Sequence, residues 1–162
     1  LATPSNYIGP EEVFGLCEDD GEARVSGLPI TRPIEDYAAS DSLGEKSGWM
    51  PPKHDKTHVP LYEGERSVPP SLREAVLVFI LGCAVRALRG QEKKHSSMLV
   101  HVTRFVDVQE KVYEQVNDLL RDYQHILAYG EEGSKADLME ELKLLWDGNV
   151  KDGLTSCKLM QR

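Results

Sequence analysis

All nine prolines of this 162-residue chain lie at or before position 70. They stand at Pro4, Pro10, Pro29, Pro33, Pro51, Pro52, Pro60, Pro69 and Pro70, with Gly9, Gly21, Gly27, Gly44 and Gly48 among them. Proline fixes φ and removes a backbone donor, and glycine carries the largest entropy cost of ordering, so no long regular element fits there. A short helix over Pro10–Leu16 is compatible with proline at a first helical position and with Glu11 and Glu12 at a positive helix start. The rest of residues 1–69 reads as an irregular arm or inter-lobe linker. It is too long for an ordinary loop, so it wraps over a partner domain or is partly disordered.

Beyond Pro70 periodicity takes over. Ser71 is a good N-cap with Glu74 three residues on, as in a capping box, and Leu72, Ala75, Val76, Phe79, Ile80, Cys83, Ala84 and Ala87 recur at helical spacing. Leu77, Val78 and Leu81 fill most of the other side, so this helix is expected to be buried nearly all round and to stop at Gly90. The β-branched apolar run Met98 to Val102 reads as a short buried strand at about 97–102. Val108, Val112, Val116, Leu119, Leu120, Tyr123 and Leu127 then predict a long amphipathic helix from Asp107 to Leu127. After a break at Gly130 to Gly133, Ser134 caps a further helix with Leu138, Leu142, Leu145 and Trp146 on one face, and the tail from Gly148 reads as loosely ordered. The expected fold class is α/β: a helix-dominated core over 70–162, one short buried strand between long helices, and an irregular arm over 1–69.

Charge narrows the function classes. The net charge is −8, which disfavours a chain that coats nucleic acid with its whole surface, so any such contact must be local. The charge is unevenly spread: residues 1–70 carry 6 basic and 13 acidic side chains, residues 71–111 carry 7 and 4, and residues 112–162 carry 6 and 10. Cys17, Cys83 and Cys157 form no close metal pair and, being odd in number, no disulfide framework, which fits a reducing cytoplasm. The longest apolar run, Ala75 to Val85, is about half of a membrane span, and no basic-then-apolar leader opens the chain. The first residue is Leu1, so a piece of a longer polypeptide is expected.

The usual catalytic signatures are missing. There is no Gly-x-x-x-x-Gly-Lys-Ser/Thr loop, no Gly-x-Gly-x-x-Gly turn and no Gly-x-Ser-x-Gly elbow, so neither a common phosphate cradle nor nucleophilic catalysis is supported. Cys83, inside an apolar helix, reads as an inert thiol. His54 and His58 have zinc-like spacing, but the surrounding prolines argue against the helix that would present them together. Glu141-Leu142-Lys143 matches the Glu-x-Lys spacing of metal-dependent nucleases, yet it falls on a predicted helix and reads better as a solvated face. His101 reads as an inward, hydrogen-bonded core histidine.

The informative constellation is the basic middle: Arg86, Arg89, Lys93, Lys94 and His95, then Thr103 and Arg104 directly after the expected strand. A hydroxyl and a guanidinium at the C-terminal edge of an α/β sheet are well placed to grip phosphate, helped by N–H groups opening the next helix. The alternative is that Arg86 and Arg89 cap a helix and pair with Glu74, Glu92 or Asp107, and that Arg104 is an ordinary surface residue.

Pro70-Ser71-Leu72-Arg73-Glu74-Ala75, then Ala84-Val85-Arg86 with Arg89-Gly90, and above all His95 through Phe105 with Gln109, resemble the Z-one domain of bacterial endonuclease-like proteins. The resemblance covers about residues 70–127, and Tyr7-Ile8-Gly9 with Val13-Phe14-Gly15 resembles the stretch preceding it. Thr103 stands where serine is expected. The resemblance implies the central segment of a superfamily-two helicase-like, ATP-dependent DNA-processing protein of restriction or defence type. On that view the segment contributes DNA-backbone contacts through Arg86, Arg89, Lys93, Lys94, Thr103 and Arg104, with no catalytic residue and no metal site of its own. ATP and magnesium would bind elsewhere in the full-length protein. The implied partners are DNA, flanking RecA-like lobes of the same polypeptide and restriction-modification proteins, with no membrane. Two other classes stay open: a non-enzymatic protein-interaction module using the acidic arm and the outer face of 107–127, and a metal-dependent nuclease using Glu141 and Lys143.

Overall fold

A computed structural model of the chain describes residues 16–17, 23–25, 34–38 and 48–147. The backbone divides into two compact units, residues 1–33 with 148–162, and residues 34–147. In the first, β1 (Leu16–Cys17) pairs antiparallel with β2 (Ala23–Val25), Leu16 opposite Val25 and Cys17 opposite Ala23, with a bulge between. Leu16, the last residue of the expected first helix, is thus in a strand; the rest of that helix and the tail from Gly148 lie outside the described residues.

The second unit is built on α1 (Pro70–Leu88), α2 (Val106–Tyr129) and α3 (Glu132–Leu145). Pro70 takes the first position of α1, where its missing N–H costs nothing. Ser71 is therefore not the cap. Its N–H and its hydroxyl both donate to Asp36, at 2.8 and 2.6 Å, so a carboxylate 35 residues upstream satisfies the helix start. Gly90 ends α1 as expected: at φ 69° it donates to Ala87 O while Gln91 N–H reaches back to Arg86 O, a Schellman closure.

Two apolar clusters form one core. Trp49 and Met50 pack with Val108 and Val112 of α2; Val76 and Leu77 of α1 pack with Tyr123 of α2 and Leu138 of α3. Leu72 and Val116 touch both clusters and join them. Val76 and Leu77 of α1 are fully buried and the other residues from Ser71 to Leu81 are half-buried, whereas Gly82, Ala84, Ala87 and Leu88 are exposed, so the helix is covered all round only through its first three turns, and Cys83 is half-buried. Arg73 crosses from α1 to α3, forking onto both oxygens of Glu141 with its guanidinium 5.9 Å from the Tyr123 ring centroid.

The α/β expectation fails at one segment. Met98 to Val102 forms no strand, because an apolar run supplies no ladder of its own and no strand lies beside it among the described residues. Burial still alternates: Met98, Val100 and Val102 are half-buried against the core, whereas Leu99 is 88% exposed and His101 points to solvent. His101 is thus a surface histidine. Gln109 Nε2 holds the segment through Val100 O at 2.7 Å. The correct class for this unit is helical.

Proline density before α1 does not prevent packing. Pro51, Pro60 and Pro69 are among the most buried residues, and Trp49 Nε1 donates to Gln115 Oε1 at 2.8 Å while Gln115 Nε2 donates to Pro60 O at 2.7 Å. An indole N–H can only donate and a carbonyl only accept, so the amide orientation of this buried glutamine is determined. Lys111 Nζ adds a bond to His58 O at 2.9 Å, tying the aperiodic segment to α2.

Candidate nucleic-acid interface

The cations of the basic middle separate into two groups. Arg86 lies half-buried in the last turn of α1; Arg89 is its C-cap and Lys93 and Lys94 follow in the next turn, all three exposed. The Schellman closure and a bond from Lys94 N–H to Gln91 O bring this stretch back on itself. None of these four cations pairs with a carboxylate among the described residues. By contrast, Arg66 meets Glu114 at 2.7 Å and Asp118 at 3.6 Å, and Arg73 is held by Glu141. Uncompensated like charges at one helix end repel each other and favour an anionic partner.

Thr103 and Arg104 stand at the other end of α1. Val102 and Leu72 line one cavity, and Arg86 lies fourteen residues beyond Leu72, a rise of about 20 Å along the helix. Thr103 is 7% exposed, and its Oγ1 lies 2.6 Å from His54 Nε2 while accepting Phe105 N–H at 3.2 Å. His54 Nδ1 faces Pro51 O at 2.7 Å, and a carbonyl only accepts, so Nδ1 carries the ring proton. In the neutral ring Nε2 therefore accepts the Thr103 hydroxyl. Arg104 is exposed, its guanidinium carbon 5.0 Å from the Phe105 ring centroid, and Phe105 meets the His54 ring edge-on at 5.6 Å.

The remaining candidates have local roles. His54 and His58 have ring centroids 5.6 Å apart, but His58 Nε2 bonds Trp49 O at 2.8 Å, and no group of three or more metal-ligating side chains occurs among the described residues. Exposed Asp55 accepts the hydroxyl and the N–H of Thr57, which hold its carboxyl below the usual carboxylate range and fix the turn between these histidines. Lys143 is exposed on α3, two residues and so about half a turn round the helix from Glu141, which Arg73 holds. Sequence reasoning missed His54 and Trp49 as the residues that organise this region. The apolar run Trp49-Met50-Pro51-Pro52 was the available signal.

No helix among the described residues is long and apolar enough to cross a membrane. No curated protein and no solved structure matches the chain. The family model described as Z1 domain matches residues 71–161, through all three helices and beyond the 70–127 stretch that carries the resemblance in sequence. Because this match takes in more than half of the chain, the protein belongs to the Z1 domain family, an endonuclease-associated domain.

Proposed function

We propose that this chain is the central, non-catalytic segment of a bacterial, cytoplasmic, helicase-like protein that processes DNA with ATP in restriction or defence, and that it contributes backbone contacts. Arg86, Arg89, Lys93, Lys94 and Arg104 supply these contacts, and Thr103 holds Arg104 in place. The carrying observation is the set of four cations at the C-terminal end of α1 without a carboxylate partner among the described residues, in a chain of net charge −8. Membership of an endonuclease-associated family supports the same reading. ATP and magnesium, the RecA-like lobes and restriction-modification partners belong to the full-length protein.

The test is fluorescence anisotropy on the full-length protein at several salt concentrations. Each phosphate contact to a single strand contributes about 0.7 to the slope of log affinity against log salt, so replacing all four cations by alanine lowers the slope by about 3. An unchanged slope and affinity would remove the assignment.

A second reading rests on a separate observation. Val106 is 79%, Tyr113 67% and Leu127 51% exposed, at heptad-compatible positions on one side of α2. A protein-interaction role through this face predicts complex formation that survives loss of the four cations.

A further inference from the structure

A cavity of about 490 Å³ opens beside the first turns of α1, in the size range of small-ligand sites. Its walls are mainly carbon: Met50, Pro51, Leu72, Ala75 and Val102, with the His54 ring. The polar wall groups are already engaged, Ser71 with Asp36 and both His54 nitrogens with Pro51 and Thr103. At the rim, Ile34 is 48% and Tyr37 40% exposed, and the Tyr37 hydroxyl has no hydrogen bond among the described residues. The site therefore offers ring and aliphatic faces inside and one hydroxyl at its mouth.

Charge beside the cavity limits what fits. From Val102 in the wall the chain runs within two residues to exposed Arg104. Its guanidinium lies over Phe105, whose ring abuts His54, so cation, phenyl and imidazole form a row that ends in the cavity wall. The Asp36 carboxylate is on the Ser71 side, with both oxygens held by Ser71. A suitable ligand is flat with apolar faces at one end and anionic at the other. That is the chemistry of a nucleotide.

We propose that this cavity takes one unstacked base of single-stranded DNA, with Arg104 on an adjoining phosphate. The inference rests on the DNA-contact reading above and narrows it to single strands, because a base inside a duplex stack cannot enter. Its faces stack on Tyr37 and His54, and its polar edge stays toward the mouth, where water meets it.

The test compares an oligothymidylate with a base-free sugar–phosphate strand of equal length, both bound to the full-length protein across a salt series. The two strands carry the same phosphates, so stacking alone separates them. The wild-type protein is expected to bind the base-bearing strand about tenfold tighter, as for one stacked base, with parallel salt slopes. Ala75→Phe fills the cavity and Ile34→Asp places a charge at its exposed rim; either is expected to bring the two strands to near parity. The rim variant carries the test if Ala75→Phe lowers the melting temperature severely. Equal wild-type affinities with a normal salt slope overturn the base pocket and leave the DNA-contact reading standing. Retained base preference in either folded variant also overturns the pocket. Binding to neither strand at low salt overturns both.

Discussion

His54 Nε2 and the Thr103 hydroxyl lie 2.6 Å apart although 49 residues separate them in sequence. Through this bond the segment before α1 reaches the turn that opens α2, and the same Oγ1 accepts Phe105 N–H at 3.2 Å. Thr103→Val keeps the shape and removes both partners from a part-buried site, leaving an imidazole nitrogen and a backbone N–H unpaired. Unsatisfied buried groups cost about 1–3 kcal/mol each, so urea unfolding is expected to lose about 2 kcal/mol in Thr103→Val and little in Thr103→Ser. Equal stability of the valine and serine variants would show that the bond contributes nothing.

Tyr123 presents the opposite case, a hydroxyl buried without a partner among the described residues. Tyr123→Phe removes a desolvated group and breaks no hydrogen bond, so stability at neutral pH is expected to hold or rise by up to about 1 kcal/mol. The alkaline limb is more diagnostic. Burial pushes the Tyr123 phenol above its ordinary value of 10.0. An acid with a raised folded pKa is protonated in both states below 10.0; above that value the unfolded chain releases its proton first, so stability falls as pH rises toward the folded value. The phenylalanine variant is expected to lose less stability than wild type between pH 9 and 11 in paired denaturant titrations. Parallel alkaline limbs would refute the burial argument.

Two glycines near the α2–α3 junction should respond with opposite sign. A Cβ on Gly130 would sit 2.5 Å from Ile126 O, the carbonyl that accepts its N–H at 2.9 Å, so Gly130→Ala must displace backbone. A cost of about 1–3 kcal/mol is expected. At Gly133, in the first turn of α3, nothing lies within 4 Å of the added carbon, and alanine should stabilise by about 0.4–1 kcal/mol. Melting temperatures that move together would contradict the geometry.

These contrasts show where the sequence was legible. The 3.6-residue spacing of Val108, Val112, Val116, Leu119 and Tyr123 locates α2 within two residues at its C-terminal end, because a one-sided stripe is a local property. Gly90 marks the end of α1 for the same local reason: its left-handed φ is inexpensive only for glycine. Long-range choices were not legible. Ser71 has the chemistry of a cap, but Asp36 takes the role from 35 residues away. Trp49 and Met50 belong to no periodic run, yet they build half of one core cluster. The segment Met98 to Val102 has strand-like alternation, but strand status depends on a neighbouring strand that its own residues do not encode. In the candidate site the cations were visible as composition. The partner of Thr103 was not, since one histidine among five carries no mark of what it will bond.

The separation of the two basic groups gives the last prediction. Arg104 lies near the start of α1 and Arg89 caps its end, about 25 Å away along the helix, with no ion-pair partner shared between them among the described residues. Cations so far apart act on different phosphates, and substitutions more than about 10 Å apart usually add. Arg104→Ala and Arg89→Ala should each lower the salt slope of single-strand binding by about 0.7, and the double variant by about 1.4. Both residues are exposed, so none of the three variants should shift the melting temperature by more than about 2 °C. A double variant with the slope of either single one would mean that the two substitutions remove the same contact, and the assignment of Arg104 and Arg89 to different phosphates would fail.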